Sequence, residues 1–232
     1  IKTCLISVFY KTNLDKIVAL LKKQGVQIYA TGGTYDFIKD LDDSVKTIES
    51  LTTYPSILGG RVKTLHPKVF GGILGRLQNE KDVEEMKQYE IPAFDLVIVD
   101  LYPFEETVKK TDDPAQIIEK IDIGGISLIR AGAKNFNEVV IVPDSKYYLE
   151  FMELYKNQDG CTSIEDRKRF AKYAFATSSH YDGMIYDWFA KDDDTSDLNI
   201  HIDSRSELRY GENPHQKAAF YGNLDDVFEK LH

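Results

Sequence analysis

Four segments of this chain carry residue types that together could hold a small anion and move a proton beside it. Two are turns after apolar runs, Phe9-Tyr10-Lys11-Thr12-Asn13 and Thr31-Gly32-Gly33-Thr34. Glycines in such turns let an anionic group approach the backbone, and backbone N–H groups and Thr hydroxyls can donate to it. A bare T-G-G-T is most often only a helix cap, and neither turn matches the P-loop or dinucleotide fingerprints. The third segment, Gly59-Gly60-Arg61-Val62-Lys63-Thr64-Leu65-His66-Pro67, presents Arg61, Lys63 and Thr64 from an irregular loop ahead of an expected strand. Pro67 biases His66 toward an extended backbone. A lone His beside Pro is more often a structural hydrogen-bonding residue than an acid or base, and Lys68 and Arg76 read as solvated. The fourth is Ile121-Asp122-Ile123-Gly124-Gly125, with an acid between apolar residues, and Tyr102 stands apart from it after an apolar run. Burial would raise the Asp122 pKa and helix N-terminal amides would lower it, while as an N-cap it needs no further role. Arg130 and Lys134, four residues apart, share one helix face.

Charge isolates one of these segments. The chain has 232 residues and a net charge of -9, with 38 acidic residues. An even scatter would put about five in any stretch of thirty, yet Ser50 to Asn79 holds none and carries Arg61, Lys63, Lys68 and Arg76. An acidic protein that keeps such a window can receive a small anion there, although a basic surface loop has the same composition. The overall balance argues against a nucleic-acid partner. No apolar run approaches the ~20 residues of a membrane span, and the two cysteines are too few for a disulfide framework or a zinc site. A cytoplasmic protein is expected.

Alternating elements must position these segments. Strands are expected at Thr3 to Val8, Val26 to Ala30, Val69 to Leu74, Phe94 to Leu101 and Val139 to Val142. Helices are expected from Leu14 to Gln24, from the T-G-G-T turn through Leu41, at Glu80 to Tyr89 and at Ile126 to Asn135. Such alternation builds an α/β fold with a parallel sheet covered on both faces. Beyond Pro143 the pattern turns helical, at Ser145 to Asn157 and Ile164 to Ala190. Asp192 to Asn199 reads as a solvated linker. The expected organisation is a core over 1–142, a helical extension and linker over 143–199, and a separate start over 200–232.

At these residues the sequence resembles the IMP cyclohydrolase domain of the bifunctional AICAR transformylase/IMP cyclohydrolase family, over roughly residues 1–200. Gly59 to Pro67, Asp100 to Phe104 and Ile121 to Asn135 are the most specific segments. The resemblance implies a methylglyoxal-synthase-like, Rossmann-like fold that closes formyl-AICAR to IMP with loss of water. It implies no cofactor and no metal for that step, and a homodimer for the full enzyme. The implied catalytic residues are Lys63, Tyr102, Asp122 and Lys134. The implied phosphate and ribose contacts are Ser7, Lys11, Thr12, Thr31, Gly32, Gly33, Thr34, Arg61 and Thr64, with Ile123 and Gly124 against the base.

The first turn departs from the family pattern Ser-Val-Ser-Asp-Lys-Thr-Gly: this chain reads Ser7-Val8-Phe9-Tyr10-Lys11-Thr12-Asn13, so one phosphate-binding hydroxyl is missing at Phe9. Leu208 to Lys217 resembles the opening of the transformylase domain, which uses 10-formyltetrahydrofolate. Too few residues follow for its core, so Arg209, Tyr210, Asn213 and His215 are expected to be disordered or packed on the first domain, without a working second site. Two rival readings are a methylglyoxal synthase and a noncatalytic module that binds a nucleotide or another effector in the same cup.

Overall fold

The computed structural model describes residues 1–192, 202 and 205–222. Its first unit, Ile1–Ser178, is built on strand β1 (Thr3–Ser7), in which Cys4, Leu5 and Ile6 are fully buried. A strand apolar on successive residues rather than alternate ones must be covered on both faces. Helix α1 (Leu14–Lys23) follows, burying Leu14, Ile17, Val18 and Leu21 on one face, and Gly25, with φ +70°, turns the chain back. Strand β2 (Gln27–Ala30), helix α2 (Gly32–Ile38), the two-residue strand β3 (Lys46–Thr47) and helix α3 (Ile48–Thr52) come next. After a tight loop stand α4 (Pro67–Leu74), α5 (Glu80–Gln88), strand β4 (Leu96–Val99), α6 (Phe104–Lys110), α7 (Pro114–Ile118), α8 (Gly124–Lys134) and strand β5 (Val140–Val142).

The strands form one parallel sheet in the order β3-β2-β1-β4-β5. Neighbouring residues of a strand face opposite sides, so Ile6, Ile28, Ile98 and Val142 join one core while Leu5, Val97, Val99 and Ile141 join the other. The fold is therefore α/β and Rossmann-like. Helices α9 (Tyr148–Asn157) and α10 (Ile164–Ala190) do not stand apart as an extension: Tyr148, Phe151, Met152, Leu154, Tyr155 and Phe170 complete the first core with α1. The first unit accordingly runs to Ser178 rather than ending at 142.

The strand expected over Val69 to Leu74 is a helix, α4. A six-residue apolar run cannot distinguish the two, and the local chemistry at its start decides. His66 occupies the N-cap and accepts the Lys68 N–H through Nδ1 at 3.1 Å, while Pro67 takes the first helical position. Gly72 lets the helix lie against the chain before β4, where a Cβ would come within 2.4 Å of the Pro92 carbonyl oxygen. The reading of His66 as structural agrees with this geometry.

The second unit begins at Ser179. In it, strands β6 (Arg205–Leu208) and β7 (Ala218–Tyr221) form an antiparallel hairpin. Its connection is tied by Gly211 N–H to the Gln216 carbonyl at 2.9 Å and by Asn213 N–H to the Gln216 side chain at 3.0 Å. Arg209, Tyr210, Asn213 and His215 lie in the connection of this hairpin. Residues 193–199 of the expected linker lie outside the described residues. No described helix is long and apolar enough to cross a membrane.

Candidate active site

In the order β3-β2-β1-β4-β5 the chain winds one way from β1 and the other way from β4. The crevice at the carboxyl ends of those two strands is where open parallel sheets bind ligands. A cleft of about 670 Å³ opens there. Its floor is the two turns after β1 and β2. The Ser7 and Thr31 hydroxyls are 2.9 Å apart and hydrogen-bonded, joining the strand ends. Thr34 is buried and ties the turns more tightly: its hydroxyl donates to the Val8 carbonyl at 2.9 Å and accepts the Val8 N–H at 3.1 Å. Thr34 therefore shapes the cup instead of offering its proton to a ligand. The Lys11 ammonium donates to the Val8 and Phe9 carbonyls at 2.6 and 2.9 Å, which leaves one of its three N–H groups for an anion. Burial lowers its pKa, and the Asp100 charge works against that shift.

Asp100 was not expected at the site. In the parallel register Ser7 lies beside Val99, so the residue after β4 falls next to the first turn. Its carboxylate accepts the N–H groups of Phe9 and Tyr10, the latter at 3.1 Å, and closes that turn. Only 8% exposed, it has a pKa pushed up to about 6 by burial, against the pull of these two donors and Lys11.

The wall opposite the cup is the loop before α4. Ile57 and Val62 pair across it, and Gly59 and Gly60 turn the chain at φ +66° and +92°, values that a side chain would strain. Lys63 points toward the second turn, its Nζ 4.0 Å from where a Cβ on Gly32 would stand. Thr64 is buried against the start of α8, and a Cβ on Gly124 would meet its hydroxyl at 2.9 Å. Arg61 is on the exposed rim in a two-pronged ion pair with Glu119, through Nε at 3.3 Å and through Nη2. Each group holds the other charged: the pair raises the Arg61 pKa and lowers that of Glu119.

Asp122 sits at the head of α8. Its carboxylate accepts the N–H of Gly125 at 2.5 Å and those of Tyr102 and Ile126. Burial raises its pKa, opposed by these three amides and by the Lys63 charge. The close approach requires glycine at 125, where a Cβ would lie 2.7 and 2.9 Å from the two carboxylate oxygens. The Tyr102 ring packs edge-on against Phe9, with centroids 5.6 Å apart at 80°. Burial, Asp122 and Glu119 all raise the pKa of its hydroxyl.

The cleft thus brings together Ser7, Lys11, Thr31, Gly33, Thr34, Arg61, Lys63, Thr64, Tyr102, Asp122, Ile123 and Gly124. Gly32 adjoins it through Lys63. Thr12 is exposed and does not line it. Lys134 does not line it either: it is the last residue of α8, ten positions from Gly124, roughly 15 Å farther along the helix at a rise of about 1.5 Å per residue. It is exposed there, beside the buried Asn135 that ties α8 to α4 through the Ile73 and Gly75 carbonyls. Besides Asp100, sequence reasoning missed Glu119 and Lys120, which also line the cleft, and took Phe9 only as a lost hydroxyl.

Residues 13–127 match the family model described as MGS-like domain, and residues 132–231 match that described as AICARFT/IMPCHase bienzyme. The chain is 53% identical over all of its length to the bifunctional purine biosynthesis protein PurH of Bacteroides thetaiotaomicron, covering 46% of that protein. It is 42% identical over 224 residues to the same protein of Rhizobium rhizogenes, covering 42% of it. The chain thus spans about half the length of the curated relatives it matches. A solved structure described as the crystal structure of ForH superposes with a TM-score of 0.70 at 35% identity, over 81% of this chain and 98% of that one.

Proposed function

Because the chain belongs to the AICARFT/IMPCHase bienzyme family and carries its MGS-like domain, we propose that it serves purine biosynthesis by closing formyl-AICAR to IMP with loss of water. The observation that carries this reading is the placement of Lys63, Tyr102 and Asp122 across one cleft from a cup made by the turns after β1 and β2. The ribotide phosphate lies in that cup, against the remaining Lys11 N–H, the Ser7 and Thr31 hydroxyls and the amides at the start of α2. The imidazole carboxamide then reaches the head of α8, where Ile123 and Gly124 meet it.

A carboxamide nitrogen is a weak nucleophile, so its attack on the formyl carbon needs removal of a proton and stabilisation of charge on the formyl oxygen. Asp122 is the base. Its burial raises its proton affinity, against the pull of the three amides and Lys63, and a raised affinity suits a proton acceptor. Lys63 stabilises the forming oxyanion. Tyr102, its hydroxyl kept protonated, orients the formamide and relays protons. One from the carboxamide by way of Asp122 and one from the formamide N–H end on the formyl oxygen, which leaves as water as the ring C=N bond forms. Holding both reacting groups of one molecule in contact contributes much of the rate. This ring closure calls for no metal or cofactor, and 10-formyltetrahydrofolate would serve only a transformylase activity outside this chain's cleft.

Incubating the chain with formyl-AICAR and following the purine chromophore tests the reading. Turnover supports it, whereas a rise in melting temperature with IMP and no turnover would favour an effector-binding module.

A further inference from the structure

The residue that breaks the family pattern in the first turn is not idle. Phe9 is 42% exposed and Tyr102 38%, and both line the cleft. Their rings meet edge to face at 5.6 Å. The Lys120 ammonium lies 5.9 Å from the centre of the Phe9 ring and 5.7 Å from that of Tyr102. The backbone under Phe9 is fixed, since its N–H is held by the buried Asp100 carboxylate. Two rings held in place inside a cleft, with a cation over both, leave apolar surface facing water until something flat covers it. The cup below is polar and suits a phosphate, so the wall above it must take the ligand's other end.

We propose that Phe9 is a specificity-determining residue that, with Tyr102 and Lys120, receives the flat heteroaromatic ring of the ligand. The ligand class is a ribotide whose base bears a carbonyl oxygen: the base lies against the Phe9 ring and its oxygen turns toward the Lys120 ammonium. The inference rests on the reading of the cleft as a ribotide site and adds a contact made by this chain's own residue.

The test compares IMP with ribose 5-phosphate, which shares the sugar phosphate and lacks the base. Both are titrated calorimetrically into wild type, Phe9→Ser, Phe9→Leu and Phe9→Tyr. Loss of one base–aromatic contact should weaken IMP roughly 5- to 30-fold in Phe9→Ser and Phe9→Leu. Ribose 5-phosphate affinity should stay within twofold, and Phe9→Tyr should restore IMP binding. Phe9→Leu keeps apolar bulk under Tyr102, so the comparison survives if the Ser variant folds poorly. Equal weakening of both ligands would make Phe9 a part of the phosphate turn and overturn the proposal, as would unchanged IMP affinity in both variants. If wild type binds neither ligand, the ribotide reading itself fails and takes the inference with it.

Discussion

Replacing Gly125 by Ala is a one-carbon perturbation aimed at the base. The added Cβ would stand 2.7 and 2.9 Å from the two Asp122 oxygens, so the carboxylate must swing out of its place. Leaving costs it the N–H groups of Gly125, Tyr102 and Ile126. Hydrogen bonds to a charged group contribute about 1.5–3 kcal/mol each, so losing two of the three costs about 3–6 kcal/mol. Ala in place of Gly in a helix returns about 1 kcal/mol. The net loss of about 2–5 kcal/mol lowers the melting temperature by roughly 4–20 °C for a chain of this size. Gly33→Ala is the control, because no atom lies within 4 Å of its Cβ position and its φ is ordinary. It should melt at or slightly above the wild-type temperature. Thermal unfolding followed by far-UV circular dichroism reads both variants. A Gly125→Ala protein melting within a degree of wild type would refute the described packing of Asp122.

Three further outcomes follow from the same geometry. Glu119→Gln releases Arg61 from its rim partner, so inorganic phosphate should bind roughly 2- to 5-fold tighter, and calorimetry should show the gain vanish in the Arg61→Ala background. The Asp100 pKa of about 6 exceeds the ordinary 3.8, so the folded state binds this proton more tightly and the group favours folding increasingly as pH falls from 7 through 6 toward 4. Urea unfolding at pH 4.5 and 7 should show Asp100→Asn lacking about 2 kcal/mol of that pH dependence; an unchanged slope would remove Asp100 as its source. His66→Ala removes the cap of α4 and should cost about 1 kcal/mol of stability without a tenfold change in kcat, whereas collapse of turnover would make His66 an acid or base after all.

Strand content was legible where apolar runs were long and followed by turn residues, as in β1, β2 and β4. Val69 to Leu74 was misread because its apolar residues fit both periods, and the deciding interaction is a His side chain capping its own helix. The short elements β3, α3, α6 and α7 escaped notice because two to seven residues give too little periodicity to register. Lys63, Tyr102 and Asp122 were singled out from their local settings and the family resemblance, and all three line the cleft. Asp100 and Glu119 were not, since one acts through strand register and the other through an ion pair spanning 58 residues of chain. Lys134 differs from Lys63, Tyr102 and Asp122: it shares α8 with Gly124 but is not among the residues that line the cleft.

Lys63 offers the most direct test of the proposed chemistry, because Asp122 also folds the head of α8 and its loss would disturb stability and turnover together. The rate of purine formation from saturating formyl-AICAR should fall roughly 10²-fold or more in Lys63→Met, as for removal of an oxyanion donor. IMP affinity should change by less than tenfold, and the melting temperature should stay near that of wild type. Turnover by Lys63→Met at close to the wild-type rate would contradict the assignment of the oxyanion to this cleft.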